Sequence, residues 1–100
     1  MNHADYLSHD ATALAARVAA GDVTPDTLLD LALAQHQRVH GRVNAVVRLM
    51  DAQARAQAAG PLRGPLAGVP FLLKDGVQDY AGVPTTYASR TMTRNVPPRH

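Results

Sequence analysis

The chain has 100 residues and a net charge of +2; 46% of it is apolar, four residues are aromatic and none is cysteine. That length holds one small domain at most. The lack of cysteine excludes a disulfide framework, a thiolate metal centre and a cysteine nucleophile, and the scattered basic residues, without interleaved aromatics, do not form a nucleic-acid surface.

The start, MNHADYLSHD, has no basic stretch followed by an apolar core, so it does not read as a signal peptide. No apolar run approaches the ~20 residues of a membrane span. A cytoplasmic location is therefore the expectation. Much of the apolar fraction is alanine, and a core of Ala, Val and Leu buries little area per side chain.

Asp10 is placed to cap a first helix over about residues 10–20, with Leu14 and Val18 one turn apart and Gly21 at its end. Thr24, Pro25 and Asp26 form a second start signal. The helix they open is expected over about 25–40, with Leu28, Leu31, Ala32 and Val39 on one side and Gly41 as its stop. The β-branched run VNAVVRL predicts a strand over about 43–49. DAQARAQAA, between Asp51 and Gly60, predicts a third helix over about 51–59. Pro61, Gly64, Pro65 and Gly68 mark an irregular connection. VPFLLK, a continuous apolar run, predicts a second strand over about 69–74, buried on both faces. Residues 76–100, with Gly76, Gly82, Pro84, Pro97 and Pro98, read as loop. Three helices with one or two strands make an α/β architecture that looks unfinished, because a strand buried on both faces needs neighbours.

Lys74 ends the apolar run without a polar transition. In an arbitrary sequence it would be a strand-end lysine reaching solvent. Asp75 either hydrogen-bonds within a site or caps the next turn. Thr85, Thr86 and Ser89 either line a site with hydroxyls or satisfy loop backbone. His36 and His40 have a spacing that can hold a metal, but no third ligand is evident, so a solvated helix face is the expectation. The glycines around Lys74 do not form a phosphate-binding loop. No cofactor or metal is expected.

The run GPLAGVPFLLKD, residues 64–75, followed by TTYAS, residues 85–89, resembles the N-terminal part of the amidase signature family. That family includes bacterial amidases and the A subunit of the glutamyl-tRNA(Gln) amidotransferase. The upstream helices and VNAVV, residues 43–47, fit the same pattern. The resemblance implies a mixed β-sheet core covered by helices, and hydrolysis or transfer at a small-molecule carboxamide by a Ser–cis-Ser–Lys triad. One serine attacks the carbonyl, the second relays the proton, and the lysine is the final base. Lys74 matches that lysine.

The implied role makes physical demands. A free lysine, with a pKa near ~10.4, holds its proton at neutral pH. Lowering it to near neutrality takes a bias of about 4 kcal/mol against the charge, and desolvation is the obvious source. An apolar strand delivering Lys74 into a dry interior would supply it. The family's serines lie in a Gly/Ser-rich segment after the lysine, whereas this chain has only Ser8 and Ser89, neither in such a setting. The expectation is that residues 1–100 are an N-terminal fragment of a single amidase-signature domain, inactive alone. It could oligomerise or aggregate through the exposed strand. Two alternatives stand beside it: a fragment of the amidotransferase type, and a non-catalytic helical module that binds a partner through the Leu14/Val18 and Leu28/Leu31 faces.

Overall fold

A computed structural model describes residues 1–76 and 78–100. Val77, within the expected loop, lies outside them. The chain divides into two compact units, Met1–Pro70 and Phe71–His100.

Four helices build the first unit, and each start has a local cause. α1, His3–Leu7, opens with a capping box in which the Asn2 side chain accepts from the Asp5 N–H at 2.9 Å and the Asp5 carboxylate accepts from the Asn2 N–H. α2, Ala11–Ala19, is capped by Asp10, whose carboxylate accepts from the Ala13 N–H at 2.8 Å. It ends in a Schellman motif. The Asp22 N–H donates to the Arg17 carbonyl and the Gly21 N–H to the Val18 carbonyl, with Gly21 at φ +80°. α3, Pro25–Val43, begins with Thr24 accepting from the Thr27 N–H at 3.1 Å and Pro25 in the first turn.

Gly41 does not stop α3. One glycine inside a helix costs about 1 kcal/mol, which the continuing hydrogen-bond ladder carries. The stop is Asn44, left-handed at φ 47°, whose N–H donates to the His40 carbonyl at 2.7 Å. Asparagine is among the few residues that tolerate this conformation. α4, Asp51–Ala59, lacks a side-chain cap, has Asp51 as its first helical residue and buries no residue fully. Arg55 on α4 donates to Asp26 and Asp30 on α3, at 2.6 Å each.

Leu28 is 0% exposed and forms a core with Leu14 (5%) and Val23; Met1, Tyr6, Val18, Leu31 and Val69 pack around it. Of the faces expected to bind a partner, Leu14 and Leu28 are buried within the unit, and Val18 and Leu31 pack against the same core while remaining half-buried. The connection after α4 returns to this core. Gly68, at φ +88°, lies so close to α2 and the start of α3 that a Cβ there would sit 2.9 Å from Val18 Cγ1 and 3.1 Å from Pro25 Cγ.

Neither expected strand is present, and among the described residues there is no strand at all, only an isolated antiparallel bridge between Tyr80 and Val83. Over 43–49, Val43 is drawn into α3 and Asn44 reverses the chain. Val47 and Leu49 are left exposed. Over 69–74, Val69 joins the first unit's core, while Phe71 and Leu72 are 77% and 75% exposed. The physical reason is the same for both. β-Propensity measures fit to a pleated, half-buried surface, and a strand exists only where a neighbour takes its N–H and C=O groups. The described residues provide no such neighbour, so the structure is helical and the α/β sheet is not formed within it.

The second unit is held by loop hydrogen bonds. The Gly82 N–H donates to the Pro97 carbonyl at 3.1 Å and the Thr85 N–H to the Asn95 carbonyl at 2.9 Å. The Asn95 amide returns a bond to the Thr85 carbonyl at 3.1 Å. A 3-10 turn, Arg90–Met92, lies within the expected loop. Among the described residues no helix is long and apolar enough to cross a membrane.

Two substitutions test the core. Leu28→Ala is expected to cost about 2–5 kcal/mol, which in a core this small removes cooperative unfolding of the helical signal. Gly68→Ala adds a side chain at positive φ against two neighbours and should cost about 2 kcal/mol or more. Thermal melts followed at 222 nm check both; an unchanged midpoint for Gly68→Ala would show that the connection does not dock as described.

Candidate functional site

The two segments singled out in the sequence both lie in the second unit, and one side chain joins them. Asp75 follows Lys74 directly. Its carboxylate accepts from the Thr86 N–H at 2.5 Å and, on its other oxygen, from the Thr86 hydroxyl. The Lys74 run is thereby fastened to Thr85-Thr86-Tyr87-Ala88-Ser89 across eleven positions of chain. Asp75 thus makes a contact between the two segments. Thr86 in turn satisfies a carboxylate rather than loop backbone.

These bonds set the charge state of Asp75. The Thr86 hydroxyl first, and then the Thr86 N–H, hold its carboxyl below the usual carboxylate range; partial desolvation opposes them. The buried Thr85 hydroxyl (residue exposure 4%) makes no hydrogen bond of good geometry and adds the smallest share of the pull on Asp75. Each carboxylate oxygen accepts one of these bonds, so the side chain ties the two segments together.

The backbone around the anchor is unusual. Tyr87 and Ala88 are consecutive non-glycine residues in the left-handed region, at φ 53° and 55°. Each such residue costs on the order of 1–2 kcal/mol and persists only where its surroundings demand it. The demand here is visible. The Thr86 groups are held by Asp75, and the Tyr87 ring covers Gly76, where a Cβ would meet Tyr87 Cδ1 at 3.3 Å. The Ser89 N–H then donates to the Thr86 carbonyl at 2.9 Å, and the Ser89 hydroxyl lies 2.8 Å from that of Thr91.

Lys74 is exposed, and its N–H donates to the Gln78 side-chain carbonyl at 2.7 Å. The apolar residues before it face solvent too. The dry surroundings that a neutral lysine requires are not supplied by the described residues. Ser8, in the first unit, donates to the Asp5 carbonyl at 2.8 Å and belongs to the end of α1. His36 and His40 stack on α3 with ring centroids 4.7 Å apart, and both are half-buried rather than fully solvated. Among the described residues no group of three or more His, Cys, Asp or Glu is placed to hold a metal ion.

The Asp75–Thr86 clamp, the Gln78 bond and the Tyr87–Gly76 packing were not predicted from the sequence. Asp75 and Thr86 are too far apart for a turn or helix spacing to link them. Tyr87 has no sequence mark of a left-handed backbone, since that position normally selects Gly, Asn or Asp.

The family model described as Amidase matches residues 27–100, which include both motif segments and their clamp. No curated protein and no solved structure matches the chain.

The clamp has a pH signature. Because the folded state depresses the Asp75 carboxyl, its contribution is fully present above the unfolded carboxylate value of ~3.9 and is lost as pH falls through the lower folded value. Protection of the Thr86 amide against hydrogen exchange should therefore hold from neutrality to about pH 4–5 and fall in stronger acid. Asp75→Asn should weaken that protection at neutral pH and abolish its acid transition. Acid-independent protection in the parent chain would refute the clamp.

Proposed function

The chain belongs to the amidase family, and on that premise we propose that it provides the lysine end of an amide-bond hydrolase. The substrate class is a small carboxamide. Lys74 is the terminal base. As a neutral amine it draws a proton, through a relay serine in a cis peptide, from the serine that attacks the carbonyl carbon. Collapse of the tetrahedral adduct breaks the C–N bond as the proton held by Lys74 returns through the relay serine to the leaving nitrogen; water, giving its proton to the same relay, then attacks the acyl ester and releases the acid and the reprotonated serine. Neither Ser8 nor Ser89 fills a serine role: the first belongs to the end of α1, the second pairs with Thr91.

One observation carries the reading. Asp75, immediately after the proposed base, is bonded through both carboxylate oxygens to Thr86. The lysine run and the Thr-Thr segment thus form one unit rather than two unrelated motifs. A base that must meet a relay serine to within hydrogen-bond reach needs its backbone fixed, and the clamp fixes it from the next residue.

Desolvation of Lys74 belongs to the same proposal. In this reading the exposed Phe71 and Leu72 and the amine beside them are covered by the strands and serine-bearing segment of an amidase domain. In that setting residues 69–74 gain the partners that a sheet requires, and the amine loses its water.

A chimaera tests this. Residues 27–100 replace the corresponding segment of an active amidase of the family, and turnover of primary carboxamides is followed by ammonia release. The chimaera is expected to be active. Lys74→Ala should lower kcat by about 100-fold or more. Lys74→Arg should not restore it, because a guanidinium stays protonated at any pH of interest. A folded, active chimaera indifferent to Lys74→Ala would overturn the assignment.

A further inference from the structure

A second site lies in the first unit. α1 rests against the C-terminal half of α3, and between them is an open cleft of about 440 Å³ lined by His3, Leu7, Gln35, Arg38, Val39 and Arg42. We propose that this cleft binds a small oxyanion, a carboxylate or a phosphate, that carries a short apolar group.

Charge is the first support. Arg38 and Arg42 are four apart on α3, so their side chains rise on the same face of the helix. The acidic residues of the unit that make ion pairs are taken elsewhere. Asp22 pairs with Arg17, and Asp26 and Asp30 pair with Arg55. Neither Arg38 nor Arg42 has an ion pair or side-chain hydrogen bond among the described residues, and no acidic residue lines the cleft. Two planar guanidiniums that share a concavity match an oxyanion with two or three oxygens.

An orphaned polar atom is the second. His3 Nε2 is shielded from water and has no hydrogen-bond partner among the described residues. Such a nitrogen carries a desolvation cost that a partner would relieve. The imidazole lines the cleft, and by turning towards an oxygen held by the arginines it gains the missing bond. The Gln35 amide adds a further donor on the same wall.

The shape of the wall selects within the anions. Leu7 and Val39 give the cleft an apolar side, and its volume exceeds what a bare inorganic ion fills. An anion with a short aliphatic or aryl part covers both. The end of α3 carries the negative pole of its helix, which works against an anion, but the His40 carbonyl is engaged by the Asn44 N–H. None of this draws on Lys74 or on amide chemistry.

The test is a titration of the full 100-residue chain, isotope-labelled, with four probes: acetate, inorganic phosphate, benzoate and phenyl phosphate. Amide, Arg Nε–H and imidazole resonances are followed at 50 mM and 300 mM salt. Saturable shifts confined to residues near His3, Leu7, Arg38, Val39 and Arg42 are expected with benzoate or phenyl phosphate. The bare ions should bind more weakly by about fivefold or more. Which of the two aryl probes binds tighter assigns the head group. The double variant Arg38→Gln, Arg42→Gln should weaken binding about tenfold or more, and His3→Gln, which leaves α3 untouched, should weaken it less. Shifts that fail to saturate, that appear equally at Arg17, Arg48 and Arg63, or that persist unchanged in both variants would overturn the proposal.

Discussion

Leu28 has no surface left for water, and the first seventy residues are arranged by that fact. Its methyls need apolar neighbours on every side. α2 offers Leu14 and Val18, the turn between α2 and α3 offers Val23, and the segment after α4 offers Val69. With one fully buried side chain of any size, the unit has little reserve, since each methylene withdrawn from water is worth only about 0.8 kcal/mol. Caps and turns matter correspondingly more. Asn2, Asp10, Thr24, Gly21 and Asn44 each satisfy or redirect backbone groups that the core is too small to hold by packing.

What was legible in the sequence follows from the range of the interactions. Asp10, Thr24 and Pro25 announce helix starts because a cap and its partner lie within three residues. Gly21 announces a stop for the same reason. Gly41 misleads because a helix passes through a single glycine at modest cost, and Asn44, three residues later, provides the conformation that ends it. The two strands failed for a different reason. VNAVVRL and VPFLLK have the composition of strands, but composition states only what a segment would do beside a neighbour. Near Lys74, the motif drew attention to the segment, while the clamp between Asp75 and Thr86 remained invisible because it is a tertiary bond with no periodic signature.

The charged groups divide between two kinds of work. Asp75 accepts through both carboxylate oxygens from Thr86, so it serves as a fixed point between the two segments. Lys74, next to it, carries a side chain that the described residues leave open to solvent. In the proposed function the protein would position the base by its neighbour and tune it by what covers it. A lysine moved from water to a dry interior has its proton affinity lowered, so the same residue can be protonated when wet and a free amine able to accept a proton when dry.

Arg55 gives α4 a property that no other helix of the chain has. α4 is nine residues long, lacks a capping side chain and buries nothing completely. Nine residues do not sustain a helix in water by themselves. Its tie to α3 is the fork from one guanidinium to Asp26 and Asp30, whose hydrogen bonds, Asp30 first, keep that guanidinium firmly protonated. Partly exposed ion pairs of this kind weaken as counterions gather. α4 is thus the element whose docking is most sensitive to ionic strength, whereas the Leu28 core is held by apolar burial.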